Sequence, residues 1–341
     1  MLSVFTASLL SVLQVAFVAA AGLWLARRGI LTTDFRRALS HLIVSLMLPC
    51  LLISKLSASV NLQNLLNWIV VPAVALVYIA LGMAMGWLVT ALMRPPESVR
   101  RVVTAAMAFG NSGYVPMPLV LALAATAPLF RNDPHAGERG VAYISLYLVC
   151  MSPCLWGIAF PYLANKPLGH IGREYILSAP FVAVLVGIVF GVTPFLRHLF
   201  VDAHAPLRVV MLTADQIGIA AIPCALLVLG ANLADSEVRE AAVSNRLLAV
   251  IIAARLVVLP LIGCAFVVAL HRAGLVPKDP MCLLVLMIQA GVPPATNLIL
   301  MCQVHKQGEA AMSKILVVTY AAAVPLMTVL IAIFLWVVGT L

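Results

Sequence analysis

The sequence predicts an all-α polytopic membrane protein: ten transmembrane helices in two inverted five-helix repeats, with broken crossover helices at positions four and nine. Three observations predict it. Of 341 residues, 64% are hydrophobic and only 10% are charged, against about half and a quarter in a soluble domain. The apolar residues fall into ten runs with short polar gaps, and a membrane helix needs about 20 such residues. Proline-centred motifs of the first five runs recur in the last five.

The runs, taken in order, are bounded by their polar neighbours. The first, 6–26, ends at Arg27-Arg28; its apolar core resembles a signal peptide, but no basic residue precedes it, so it is expected to be a retained span. The second, 38–58, carries Leu48-Pro49-Cys50 at its centre, and the third, 68–93, stops before Arg94–Arg101. The fourth, 102–129, is interrupted by Phe109-Gly110-Asn111-Ser112-Gly113-Tyr114-Val115-Pro116-Met117-Pro118. The fifth, 141–164, lies between Arg131–Arg139 and Asn165–Glu174, and the sixth is 176–196. Asp215-Gln216 open the seventh, 207–233, which contains Ile222-Pro223-Cys224. The eighth, 247–270, holds Arg255; the ninth, 281–303, is interrupted by Gln289-Ala290-Gly291-Val292-Pro293-Pro294-Ala295-Thr296-Asn297; the tenth is 313–339. Residues 1–164 thus form the first repeat, 165–175 a short cytosolic linker and 176–341 the second repeat.

The net charge of +9 is scattered through the gaps and forms no basic stripe, which speaks against nucleic acid and for topology signals. Thirteen Lys and Arg fall on the side of the first, third, fifth, seventh and ninth connections and seven on the other, Arg255 left aside. The positive-inside rule puts the odd-numbered connections in the cytosol and both termini outside it. All seven cysteines lie in apolar runs, so disulfides are not expected. Cys150 and Cys154 share a helix face but have no His or carboxylate beside them, so packing thiols are expected there and no metal or cofactor.

The recurrence has a fixed offset. Leu48-Pro49-Cys50 returns as Ile222-Pro223-Cys224 174 residues later, and Pro116/Pro118 as Pro293/Pro294 at 176–177. Each unit holds an odd number of spans, so the second enters the membrane from the opposite side; that is an inverted repeat, an architecture of secondary transporters.

The chemistry belongs to the two interruptions. Proline has no N–H and clashes with the carbonyl four residues back, so Ser112, Tyr114, Gln289 and Ala290 lose their helical partners. An unpaired carbonyl costs several kcal/mol in hydrocarbon, so such a break lasts only inside protein or beside a wet cavity. Gly110, Gly113 and Gly291 give the breaks room. Each proline cluster is expected in the first turn of a new half-helix, whose N–H groups present partial positive charge to an anion. Asn111 and Asn297 add uncharged donors and acceptors suited to a carboxylate that must also leave; the plainer role for both is hydrogen bonding between helices. Ser112, Tyr114 and Gln289 complete the polar candidates, and Leu48 and Ile222 the apolar wall.

A charge at membrane depth costs at least roughly 2.5–3.5 kcal/mol, so Arg255 is expected to face the protein interior, against freed carbonyls, a carboxylate or the substrate. Asp215 is expected to be solvated near a span end; buried, it is the candidate proton relay. Gln14 and Asn232 are expected to pack or cap. Gly110-Asn111-Ser112-Gly113 also matches the short pattern of intramembrane serine proteases, but the histidines all lie in gaps or near run ends, where none can take the serine proton. No enzyme activity is expected.

At these motifs the chain resembles the auxin efflux carrier superfamily, most closely its PIN-LIKES branch. The resemblance runs from Leu23-Trp24-Leu25-Ala26-Arg27-Arg28-Gly29 through the two breaks, with Pro194-Phe195-Leu196-Arg197, Ala205-Pro206-Leu207-Arg208 and Leu229-Gly230-Ala231-Asn232-Leu233 most typical of the branch. Ser313 and Tyr320 also fall where the branch has similar residues. The resemblance implies ten spans, a scaffold and a transport half with elevator-like alternation, a small carboxylate substrate such as auxin, and an endoplasmic-reticulum membrane. It allows a homodimer. It assigns carboxylate contact to Asn111 and pocket lining to Leu48. It departs at Ser178-Ala179-Pro180, where plasma-membrane relatives carry an asparagine, and it lacks their long cytosolic loop.

The sequence therefore leads to a secondary carrier for a small organic anion, driven by a gradient or the membrane potential because no ATP-binding loop is present. A sensor or scaffold that binds an anion without moving it is the alternative.

Overall fold

The computed structural model describes residues 2–60, 68–165, 179–232, 243–305 and 307–341. Within them the regular structure is helical, joined by an isolated antiparallel bridge between Gly110 and Pro294. In chain order the helices are α1 (Leu2–Arg27), α2 (Thr33–Ala58), α3 (Val70–Met93), α4 (Glu97–Ala108), α5 (Pro116–Thr126) and α6 (Ala136–Leu163). They continue as α7 (Ala179–Val192), α8 (Arg208–Asn232), α9 (Asn245–Arg272), α10 (Pro280–Gly291), α11 (Asn297–His305) and α12 (Glu309–Thr340). Beyond Asn165, the expected linker lies outside the described residues, as do Ser178 and Leu233.

Among the described residues, six helices are long and apolar enough to cross a bilayer: α2, α3, α6, α8, α9 and α12. A seventh candidate is the pair Val182–Val192 and Pro194–Val201, bent by 90°. The chain is an integral, multi-pass membrane protein. The fourth and ninth runs fail the length test because each is split in two, as α4 with α5 and α10 with α11. Within the sixth run, α7 stops at Val192 and a short helix follows from Pro194. Pro194 holds Thr193 extended (φ −89°, ψ 110°), since the residue before proline avoids the helical region, and the chain turns there.

Prolines also explain a recurring distortion. Wide π-helical turns at Ile43–Met47, Leu155–Ala159 and Ala254–Val258 each stop just before Pro49, Pro161 and Pro260. A proline ring clashes with the carbonyl one turn back, and a π turn loosens that stretch of the helix without ending it.

Two packing groups emerge. Helices α1, α2, α7 and α8 pack on one another, and α3, α4, α5, α6, α9, α10 and α12 form the other set. α1 meets α8 backbone to backbone: a Cβ on Gly22 would lie 2.1 Å from the Leu227 carbonyl oxygen, and one on Gly230 1.7 Å from that of Ala19. Glycine is the residue that permits this approach. The groups touch along α1 with α12 and α5, and along α2 with α6.

Candidate functional site

The two breaks cross. α4 ends at Ala108, Phe109 turns extended (φ −109°, ψ 104°), and the chain passes antiparallel to the residues after α10. The Asn111 N–H donates to the Pro293 carbonyl at 2.8 Å and the Ala295 N–H to the Phe109 carbonyl at 2.9 Å. This two-bond crossing, buried from Phe109 to Ser112 and from Val292 to Ala295, replaces helical hydrogen bonds that the prolines forbid.

Pro116 opens α5, as expected for a new half-helix. The second cluster differs. Pro293 and Pro294 lie in the crossing itself and α11 begins only at Asn297. Two successive prolines keep their predecessors extended, with Val292 at φ −66° and ψ 145°, so the helix restarts after the chain has left the crossing.

The freed carbonyls find partners from elsewhere. Gln289 donates from its Nε2 to the Ser112 carbonyl at 3.0 Å, while its Oε1 has no partner among the described residues. Arg255, buried, donates Nη1 to the Met107 carbonyl at 2.8 Å and Nε to the Val292 carbonyl at 3.1 Å. It thus joins the C-terminal ends of α4 and α10, where partial negative charge collects. No carboxylate pairs with it among the described residues. A Cβ on Gly110 would come within 2.2 Å of its Nη2, so the guanidinium reaches the crossing only because that residue is glycine.

Asn111 is buried and engaged at both ends: Nδ2 donates to the Tyr320 hydroxyl at 2.7 Å, and Oδ1 accepts from the Tyr114 N–H at 3.1 Å. Tyr320 in turn donates to the Pro294 carbonyl at 3.1 Å. Ser112 donates to the Gly110 carbonyl at 3.3 Å.

The candidate residues divide between two faces of the crossing. On one, Leu48 of α2 and Ile222 of α8 face Gly113, Tyr114 and Pro118 across an apolar niche of about 10 Å³, room for about one water molecule. On the other, Arg255, Gln289 and Gly110 border a similar niche with Tyr78 and Tyr147. Asn297 lies half-buried at the start of α11. Sequence reasoning passed over Tyr78 and Tyr147. Tyr78 is buried and donates to the Leu286 carbonyl at 3.1 Å, and an apolar run containing a tyrosine at depth was the available signal.

Farther along the helices lie charged clusters. Asp215 is half-buried, ion-paired to Lys55 at 2.8 Å and accepting from the Ser54 hydroxyl at 3.0 Å; Glu138 approaches Lys55 at 4.0 Å. Asp215 is thus held by α2 and is not simply solvated. Arg139 clasps Asp133 and Asp279, the latter also accepting from Tyr143 at 2.8 Å and from the Met281 N–H at the start of α10. At the opposite end of the spans, buried Arg36 donates to the Ala231 carbonyl at 3.0 Å and to Asn232 Oδ1 at 3.1 Å, capping α8.

The chain is similar to known membrane proteins. The family described as "Membrane transport protein" matches residues 7–167 and 166–331. Protein PIN-LIKES 7 of Arabidopsis thaliana is 26% identical, covering 95% of this chain and 96% of its own length. Protein PIN-LIKES 1 of the same plant is 27% identical over 99% of this chain and 81% of its own. A protein named "Uncharacterized transporter YBR287W" from Saccharomyces cerevisiae is 29% identical over 40% of this chain and 34% of its own. With nearly the whole chain matched and transport common to the family, the protein belongs to the auxin efflux carrier family of membrane transport proteins.

Proposed function

We propose that the protein is a secondary carrier that moves a small organic anion, an auxin-like carboxylate, across a membrane by elevator-like alternating access. The observation that carries this is the crossing of the two broken spans, tied by Asn111 N–H to Pro293 O and Ala295 N–H to Phe109 O. Half-helices α5 and α11 start on either side of it, so their positive ends lie close to one buried locus. Asn111, Ser112, Tyr114 and Asn297 supply polar groups there, and Leu48 and Ile222 an apolar wall. Arg255 supplies positive charge from behind.

The ten-span, inverted-repeat reading belongs to this proposal, with repeats 1–164 and 176–341. In it α1, α2, α3 and α4/α5 correspond to α7, α8, α9 and α10/α11. The packing supports that pairing: α1 lies on α8 as α7 lies on α2, and α3 on α4 as α9 on α10. The group of α1, α2, α7 and α8 is the scaffold, and the crossing moves with the remainder. Transport is driven by a gradient or by the membrane potential, worth about 2.3 kcal/mol per charge per 100 mV. Orientation with both termini outside the cytosol rests on the Lys and Arg distribution, and the endoplasmic-reticulum membrane on the resemblance to PIN-LIKES proteins. Asp215, paired with Lys55, acts as a fixed counter-charge in this reading; as a proton relay it would have to release that lysine.

Uptake of labelled indole-3-acetate into proteoliposomes tests the proposal. Wild type is expected to give saturable flux, and Asn111→Ala to lose most of it. Equal flux in both discards the site, and binding without flux favours a sensor.

A further inference from the structure

We propose that Tyr320 is a positioning residue that fixes the amide of Asn111 so that its spare group is an N–H donor, and that this selects a carboxylate over its neutral counterpart. The inference deepens the carrier reading and rests on it.

The Pro294 carbonyl can only accept, so the Tyr320 hydroxyl at 3.1 Å must give it its hydrogen. The tyrosine oxygen then faces Asn111 as an acceptor, at 2.7 Å, and only the amide nitrogen can answer it. At the other end the Tyr114 N–H can only donate and requires Oδ1, at 3.1 Å. The two neighbours therefore determine the amide orientation by chemistry, where the amide shape alone leaves it ambiguous.

What remains on the nitrogen is a second N–H. A charge-assisted bond from such a donor to a carboxylate oxygen is stronger than one to a neutral carbonyl. Without the tyrosine oxygen only the Tyr114 N–H would hold the amide, its nitrogen would be free to swing, and the N–H offered to a carboxylate would lose its aim. Tyr320 also spans both breaks, since Asn111 belongs to the first and Pro294 to the second. Its hold on Asn111 therefore exists only while the crossing is assembled.

The test uses the full chain in proteoliposomes with indole-3-acetate and indole-3-acetamide as probes, and variants Tyr320→Phe, Asn111→Ala and the double variant. Tyr320→Phe is expected to raise KM for the acid by about tenfold, the equivalent of about 1.4 kcal/mol, with little change for the amide, so that the acid-to-amide preference falls by the same factor. Because the tyrosine acts through Asn111, the double variant is expected to match Asn111→Ala. An unchanged preference in Tyr320→Phe, or a further loss in the double variant, overturns the assignment while the carrier reading stands. A wild type that moves neither probe overturns both. Should Tyr320→Phe not fold, 3-fluorotyrosine in place of Tyr320 keeps the hydroxyl and weakens its oxygen as acceptor; it is expected to lower the preference, and no change overturns the assignment.

Discussion

The two breaks do the same job by different means. The first, from Phe109 to Val115, carries side chains that serve it, Asn111 accepting from Tyr114 and Ser112 donating to Gly110, and the following helix adds the Met117 N–H to the Gly113 carbonyl at 3.2 Å. The second, from Val292 to Thr296, offers mostly backbone, and helpers outside it meet its carbonyls: Arg255 at Val292, the Asn111 N–H at Pro293 and Tyr320 at Pro294. The first break is held partly by its own groups and partly by Ala295 and Gln289, which meet its Phe109 and Ser112 carbonyls; the second is held mainly from outside. A break held from outside can be loosened without touching it, and this asymmetry marks where the site can be tuned.

The largest expected effect follows from removing the main helper. Arg255→Ala strands the Met107 and Val292 carbonyls, at roughly 1–3 kcal/mol each, less whatever relief comes from losing a buried charge. Thermal unfolding in detergent should show a larger Tm loss for it than for Asn111→Ala; the reverse order would mean that the second break holds itself after all. Next comes Gly110→Ala, whose Cβ would overlap Arg255 Nη2 and lie 2.7 Å from Val292 Cγ2. Overpacking of this kind costs roughly 1–3 kcal/mol. In an Arg255→Ala background the penalty should shrink by at least roughly 0.5 kcal/mol, and a strictly additive cycle would dissociate the glycine from the arginine.

Gln289 is the exception that sharpens the contrast, because it lies beside the second break and serves the first. Gln289→Leu strands the Ser112 carbonyl but also removes the partnerless Oε1. Two terms of similar size oppose, so its Tm should move less than that of Gly110→Ala. The smallest effect is at the far end of α10. Hydrogen bonds from Arg139 hold the Asp133 carboxyl below the usual carboxylate range. Its contribution is full above the unfolded value of about 3.9 and is lost as pH falls through the lowered folded value. Asp133→Asn should flatten the acid limb of the Tm profile below about pH 4, by an amount that shrinks with salt because Asp133 is partly exposed.

The breaks were legible because proline and glycine state their own backbone chemistry. Arg255 was legible as inward-facing because a lone charge at depth has nowhere else to go. Its two carbonyls were not, since pairing residues 107, 255 and 292 needs the tertiary fold. On sequence alone Asn111 is either a ligand group or a hydrogen-bonding link between helices; its bonds to Tyr114 and to Tyr320, 209 positions away, need the fold, and only family resemblance singles out Tyr320. That Lys55 pairs with Asp215 also needs the tertiary fold. The bend at Pro194 is not legible in hydropathy, which continues past it while the helix α7 does not.

The π turn at Ala254–Val258 makes α9 a phase-shifted rod. Residues before and after it answer to different partners, because the extra residue rotates everything downstream by about 100° relative to an unbroken helix. Leu259, Pro260, Gly263, Cys264 and Val267 are buried on the downstream face, and that face is aligned with α10 only while the extra residue is present. Deleting a single residue there would preserve length and hydropathy nearly intact, yet turn the whole downstream face away from its neighbour. For this helix, insertions and deletions are therefore a more severe class of change than substitutions.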